Sequence, residues 1–130
     1  MIAIDTSAIL AILLRELEGQ NILTAILAAD ECTLSAANLL ETRMVLYARD
    51  PANISDLDLF LKQARIHCEV VTEAQSDLAF EAFRRFGKGT GHPAGLNFGD
   101  CFAYALAKDQ GCALLFKGND FARTDIKPAI

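Results

Sequence analysis

Met1–Leu17, MIAIDTSAILAILLREL, is the stretch on which the fold turns. Met1 to Ile4 is apolar at every position, the pattern of a strand covered on both faces. The run stops at Asp5. Thr6 and Ser7 then offer helix caps, and AILAILLREL continues as a helix whose closing signal is Gly19. Working outward, the alternation repeats. A helical pattern covers Gln20 to Ala29, and CTLS at Cys32–Ser35 reads as a second strand. Ala36 to Arg49 is helical and halts before Pro51. Ser55 to Asp58 resembles a capping arrangement for a helix through Arg65, and HCEVV at His67–Val71 is a third strand. Thr72 with Gln75 forms a capping box for a helix to Phe86. GKGTGHPAG, residues 87–95, can only be a loop. Asn97 to Gln110 is helical, Ala113 to Phe116 is a fourth strand, and a short fifth is expected near Ile126. Strands alternating with helices predict an α/β fold in one domain over residues 1–130. Its central sheet of four to five strands is mostly parallel and flanked by helices.

Composition bounds the function. At 130 residues, with 52% hydrophobic and 22% charged residues and a mean hydropathy of +0.25, the chain is too apolar for disorder and large enough for a core. The formal net charge is −5 and the isoelectric point about 4.9. A protein that holds nucleic acid through phosphate contacts alone would be basic, so any RNA contact must be local and aided by a cation. Cys32, Cys68, Cys101 and Cys112 lack metal-ligand spacing, and buried free thiols are expected. Met1 enters a strand without a basic leader, and no apolar run reaches the length of a membrane span. A cytoplasmic protein is the expectation.

Open parallel sheets bind ligands beyond the carboxyl ends of their strands, where helix N-termini also point. Asp5 stands at that edge. Asp100 falls in the first turn of its helix, and Asp120 follows the fourth strand. Each alone could be a cap, a dipole partner or a turn residue. Glu41 shares a helical row with Ala37, Met44 and Ala48, and a lone carboxylate in an apolar row is costly to bury unpaired. The row therefore predicts that Glu41 points inward at a cation. Four such carboxylates would repel one another without a metal. Together they describe an all-oxygen pocket for a hard divalent ion such as Mg²⁺ or Mn²⁺.

IDTSAIL, ANLLETRMVLY, NFGDCFAYALAK and LLFKGNDF resemble, in order and spacing, the PIN domain, with the similarity running over essentially the whole chain. GDC at a helix start together with FKGNDFARTDI resembles the VapC branch of bacterial toxins. The resemblance implies a metal-dependent ribonuclease with Asp5, Glu41, Asp100 and Asp120 as its acidic site. Asp5 and Asp100 would be direct ligands of Mg²⁺ or Mn²⁺, and Glu41 and Asp120 would act directly or through water. Thr6, Ser7 and Asn119 would orient the carboxylates or a bound water. It further implies a homodimer and a VapB-like antitoxin that sends a basic side chain into the acidic pocket. In one place the chain departs from the family. Phe116-Lys117 stands where many members carry Thr or Ser.

Positive charge for RNA must come from a few residues: Arg84, Arg85 and Lys88 around the glycine loop, and Lys117 and Arg123 around Asp120. The loop, which lacks the Walker spacing, is expected to be mobile and able to touch RNA. His67 reads as structural and His92 as a loop residue. A response-regulator receiver would need an acidic pair at the first strand and an aspartate after the middle one, and this chain has neither. The alternative is a PIN-like module that binds RNA or a partner without cutting.

Overall fold

The computed structural model describes all residues, 1–130. Four strands, β1 (Ile2–Ile4), β2 (Cys32–Ser35), β3 (Ile66–Glu69) and β4 (Ala113–Leu115), form one sheet in the order β3-β2-β1-β4. Every pairing is parallel, with Ile4 level with Leu34 on one side and Leu115 on the other. Helices α1 (Thr6–Leu13) and α2 (Gly19–Ala28) connect β1 to β2. Then α3 (Ala36–Arg49) and α4 (Asn53–Gln63) connect β2 to β3, and α5 (Glu73–Phe86) and α6 (Phe98–Gln110) lead to β4. The chain steps outward from β1 to β3 and then returns to the far side of β1. The direction of strand order therefore reverses between β1 and β4, and crevices open at such switch points.

Alternate residues of the short strands feed two cores. Ala3 and Leu114 pack with Ala82, Phe86, Leu96, Tyr104 and Leu106 on the α5–α6 side. Ile4, Leu34 and Leu115 pack with Ile9, Ile22, Ile26, Leu46 and Leu57 on the α1–α4 side. Each such Ile or Leu contributes about 1.5–3 kcal/mol through burial. Ala103, Ala105 and Ala107 let α6 lie close to the sheet.

Several boundaries fall differently from the sequence expectation. The first helix ends at Leu13 rather than Leu17, and Arg15 takes a left-handed turn at φ +54°. Gly19 opens α2 instead of closing α1. A β-carbon there would collide with the Ala11 carbonyl, so glycine permits the close crossing of α1 and α2. Helix α4 begins at Asn53 without a side-chain cap, two residues before Ser55. The expected fifth strand is one bridge between Leu114 and Pro128, flanked by Leu114 N–H donating to Lys127 O and Ala129 N–H to Leu114 O. β3 is an edge strand, so His67 and Cys68 are exposed rather than buried. Thr72 caps α5 by accepting from Gln75 N–H at 3.1 Å, but the Gln75 amide turns away to donate to Asp109.

The glycine loop is folded back on itself. Lys88 N–H donates to Leu96 O, Leu96 N–H to Phe86 O, and Ala94 N–H to His92 Nδ1. The His92 ring meets Phe86 edge-on at 5.0 Å. These contacts make it a clasped turn between α5 and α6, where the glycine content alone predicted a mobile loop.

Candidate active site

Asp5 leaves β1 at the switch point. Its N–H donates to Leu115 O at 2.9 Å, so the sheet itself sets its backbone. Asp5 is the N-cap of α1: its Oδ2 accepts from Ser7 N–H at 3.0 Å and from Ser7 Oγ–H at 2.6 Å. Only 3% of the residue is exposed, and Oδ1 is buried with no hydrogen-bond partner. Burial raises its carboxyl to about 7, the Ser7 hydroxyl opposes that rise, and the charges of Asp100 and Glu41 add to it.

Asp100 sits in the first turn of α6 in a reciprocal capping box. Its Oδ2 accepts from Asn97 N–H at 3.0 Å, and its own N–H donates to Asn97 Oδ1 at 2.9 Å. Burial raises its carboxyl to about 6, the Asn97 bond pulls the other way, and Asp120 and Glu41 push it further up. Asp5, Glu41, Asp100 and Asp120 are thus brought within one another's fields as a connected set, with Asp100 its centre.

Glu41 reaches the site by a different face of α3 from the one expected. The buried row is Asn38, Thr42 and Leu46, while Met44 and Ala48 are exposed. Glu41 lies half-buried on the rim of that row. Its carboxylate packs onto the backbone of Gly99, where any β-carbon would overlap it. Asp120 and Asn119 lie exposed in the turn after β4, and Asn119 makes no hydrogen bond to the four carboxylates. Ser7 orients Asp5 directly. Thr6 instead donates to Asn38 O at 3.3 Å and accepts from Asn38 Nδ2 at 3.3 Å.

Of the basic candidates, four are engaged within the chain. Arg84 pairs with Glu81, Arg85 with Asp125, Lys117 with Glu16 and Glu18, and Arg123 donates to Pro93 O. Lys88 borders an apolar groove of about 460 Å³ with Phe80, Phe83 and Phe98, and its ammonium has no ion-pair partner.

No three His, Cys, Asp or Glu side chains converge closely enough to enclose a metal ion by themselves. The donor set nevertheless fits a hard divalent cation. It is all oxygen, Asp5 Oδ1 is buried and unsatisfied, and two carboxyls are raised well above their usual range by burial, with neighbouring carboxylates adding to the rise. Mg²⁺ retains several waters and needs few protein ligands.

A family model described as the PIN domain matches residues 2–127. The chain belongs to the PIN-domain family. Among curated relatives, ribonuclease VapC28 of Mycobacterium tuberculosis (strain ATCC 25618 / H37Rv) is 48% identical over 128 residues, covering 98% of this PIN domain and 96% of that protein. Ribonuclease VapC42 of the same strain is 42% identical over 127 residues, 97% of each chain. The crystal structure of Mycobacterium tuberculosis VapC20, described as a Sarcin-Ricin loop cleaving toxin, superposes with a TM-score of 0.74 at 20% identity. It covers 97% of this chain and 96% of its own, and supports the fold alone.

Asn38 escaped the sequence reading. It was hidden because asparagine scores as polar, yet it is fully buried. The available signal was its spacing: an asparagine in a helix interior, three residues before the candidate Glu41.

Proposed function

We propose that this PIN domain is a metal-dependent endoribonuclease, the toxin of a VapBC-type pair. The observation that carries the reading is the buried, unpartnered Asp5 Oδ1 at the switch point, among carboxylates that have no cation of their own. Ribonuclease relatives aligned over nearly the whole chain supply the substrate class.

Hydrolysis of RNA forms one phosphorus–oxygen bond to water and breaks one to the leaving sugar oxygen. Asp5 and Asp100 would hold Mg²⁺ or Mn²⁺, with Glu41 and Asp120 completing the shell directly or through water. A cation there lowers the pKa of water and neutralises charge developing on the phosphate. Ser7 fixes Asp5 Oδ2 and leaves Oδ1 without a protein partner, free for a cation. The Asn97–Asp100 box fixes the second carboxylate against a helix start whose dipole favours anions. Asp120, at the exposed rim, would orient the attacking water or take its proton.

The acidic pocket also suits a basic side chain from an antitoxin, which would compete with cation and substrate. We place the second copy of a homodimer on the exposed apolar side chains Leu40, Met44 and Phe98, with half-buried Phe102 beneath them, beside Glu41. No helix is long and apolar enough to cross a membrane.

The test is cleavage of a mixed RNA pool by antitoxin-free protein with Mg²⁺, Mn²⁺ or EDTA, comparing wild type with Asp100→Asn. Cleavage should need metal and vanish in the variant. Cleavage undiminished in both EDTA and the variant would sink the carboxylate–metal mechanism. A protein that binds metal and RNA yet cuts no RNA, including that of intact ribosomes and transfer RNA, returns the non-catalytic module.

A further inference from the structure

The polar atoms at the centre of this fold include one side chain with no assigned role. Asn38 is completely buried, and its Nδ2 reaches three acceptors on three segments. These are Gly99 O at 3.0 Å, Thr6 Oγ1 at 3.3 Å and Glu41 Oε1 at 3.4 Å. Each partner is either a candidate ligand or its neighbour in sequence. Thr6 follows Asp5, Gly99 precedes Asp100, and Glu41 is itself one of the four. The chain has two buried side-chain polar atoms without a partner, Asp5 Oδ1 and Asn38 Oδ1, and both belong to this cluster.

The geometry points to Asn38 as a positioning residue that sets Glu41 and the Gly99–Asp100 turn against Asp5 before a cation arrives. This role rests on the metal-site reading above. The chemistry explains the residue type. Segments carrying mutually repelling carboxylates need a neutral donor to tie them, and a carboxamide supplies two N–H groups with no added charge. An aspartate would add another anion. A leucine of similar volume would fill the space but leave Gly99 O and Glu41 Oε1 without their donor. The close approach of Gly99 to the Glu41 carboxylate depends on the same link, because Asn38 grips both sides of that contact.

The test uses RNA-free protein, with Mn²⁺ binding followed by electron paramagnetic resonance. Asn38→Leu should keep the wild-type helical signal and a cooperative urea transition, yet bind Mn²⁺ about tenfold more weakly. A double-mutant cycle separates positioning from general softening. On a Glu41→Gln background the same substitution should cost less than about threefold, since the group it orients has changed. Should Asn38→Leu fail to fold, Asn38→Ser replaces it in the cycle. In the wild type the Asn38 side-chain amide resonances should be slow to exchange and should shift on adding Mg²⁺. Unchanged Mn²⁺ affinity in the folded variant, an equal loss on both backgrounds, or amide resonances indifferent to Mg²⁺ would overturn the role. A wild-type protein that binds no Mn²⁺ would instead overturn the site reading itself, and this role with it.

Discussion

Two neighbouring strands, β1 and β4, end at the same edge of the sheet, and they end differently. After β1 the chain passes directly into a capped helix: Asp5 is 3% exposed, its backbone held by Leu115 and one oxygen by Ser7. After β4 it runs through an exposed turn, with Gly118 at φ +96° and Asp120 open to solvent. Beyond the Asp5–Leu115 backbone bond, Lys117 N–H donates to Ser7 Oγ at 3.0 Å and ties the two ends together. One wall of the pocket is thus preset by the core, and the other is shaped by a surface turn. Buried walls fix ligands. Open walls admit substrate and solvent.

The largest effect should follow from breaking the buried wall. Asp5→Asn is expected to lower metal-dependent cleavage by about a thousand-fold, while Asp120→Asn on the open wall costs roughly 10- to 100-fold, both read from initial rates. If the two variants proved equal, the contrast between the walls would have no catalytic meaning. Next comes Gly99→Ala, whose β-carbon must expel the Glu41 carboxylate, with an expected loss of about 10- to 100-fold in rate or metal affinity. Ser7→Ala removes the hydroxyl bond to Asp5 Oδ2, keeps the backbone one, and leaves the Lys117 N–H without its acceptor. Metal binding should weaken roughly tenfold by calorimetric titration. Lys117→Met breaks partly exposed ion pairs to Glu16 and Glu18, and should leave the urea midpoint nearly unchanged.

Burial of Asp5 makes the stability of the metal-free protein depend on pH. Asp5 titrates near 7 in the fold against an ordinary value of 3.8, so between those limits the folded state binds the extra proton. Stability is therefore greatest at the acidic end of that window and falls as pH rises through about 7. The loss from this one group is about 4 kcal/mol. Asp5→Asn should flatten the profile and stabilise the metal-free protein at pH 8, and saturating Mg²⁺ should reverse the trend in the wild type. A wild-type profile that is flat between pH 4 and 8 without metal would contradict the burial of Asp5.

What the sequence revealed follows the same division. Strand ends are written plainly, because MIAI and ALL are continuous apolar runs and the next polar residue marks the edge of the sheet. Asp5, and Asp100 behind its Asn97 cap, were legible for that reason. Glu41 was found through a faulty step. The row of Ala37, Met44 and Ala48 looked like a core face, but the face that packs carries Asn38 and Thr42, which hydropathy scores as solvent-facing. Thr42 satisfies itself by donating to Asn38 O at 2.8 Å, a bond that no apolar pattern records. His67 and Cys68 misled in the opposite sense. Their strand is apolar in composition yet lies at the sheet edge, and strand order is a tertiary property. The basic candidates were legible as charges but not as partners, because Glu16, Glu81 and Asp125 reach them only in the fold.

The placement of β1 at the centre of the sheet also has a consequence for timing. β1 is flanked by β2 and by β4, which is completed only at residues 113–115. Asp5 therefore waits, as the chain is made, for α6, which brings Asp100, and for the turn bearing Asp120. Local helices can form early, but pairing of distant segments closes late. For a protein proposed to cut RNA, this order keeps Asp5 apart from Asp100 and Asp120 until the segments that carry them have been made.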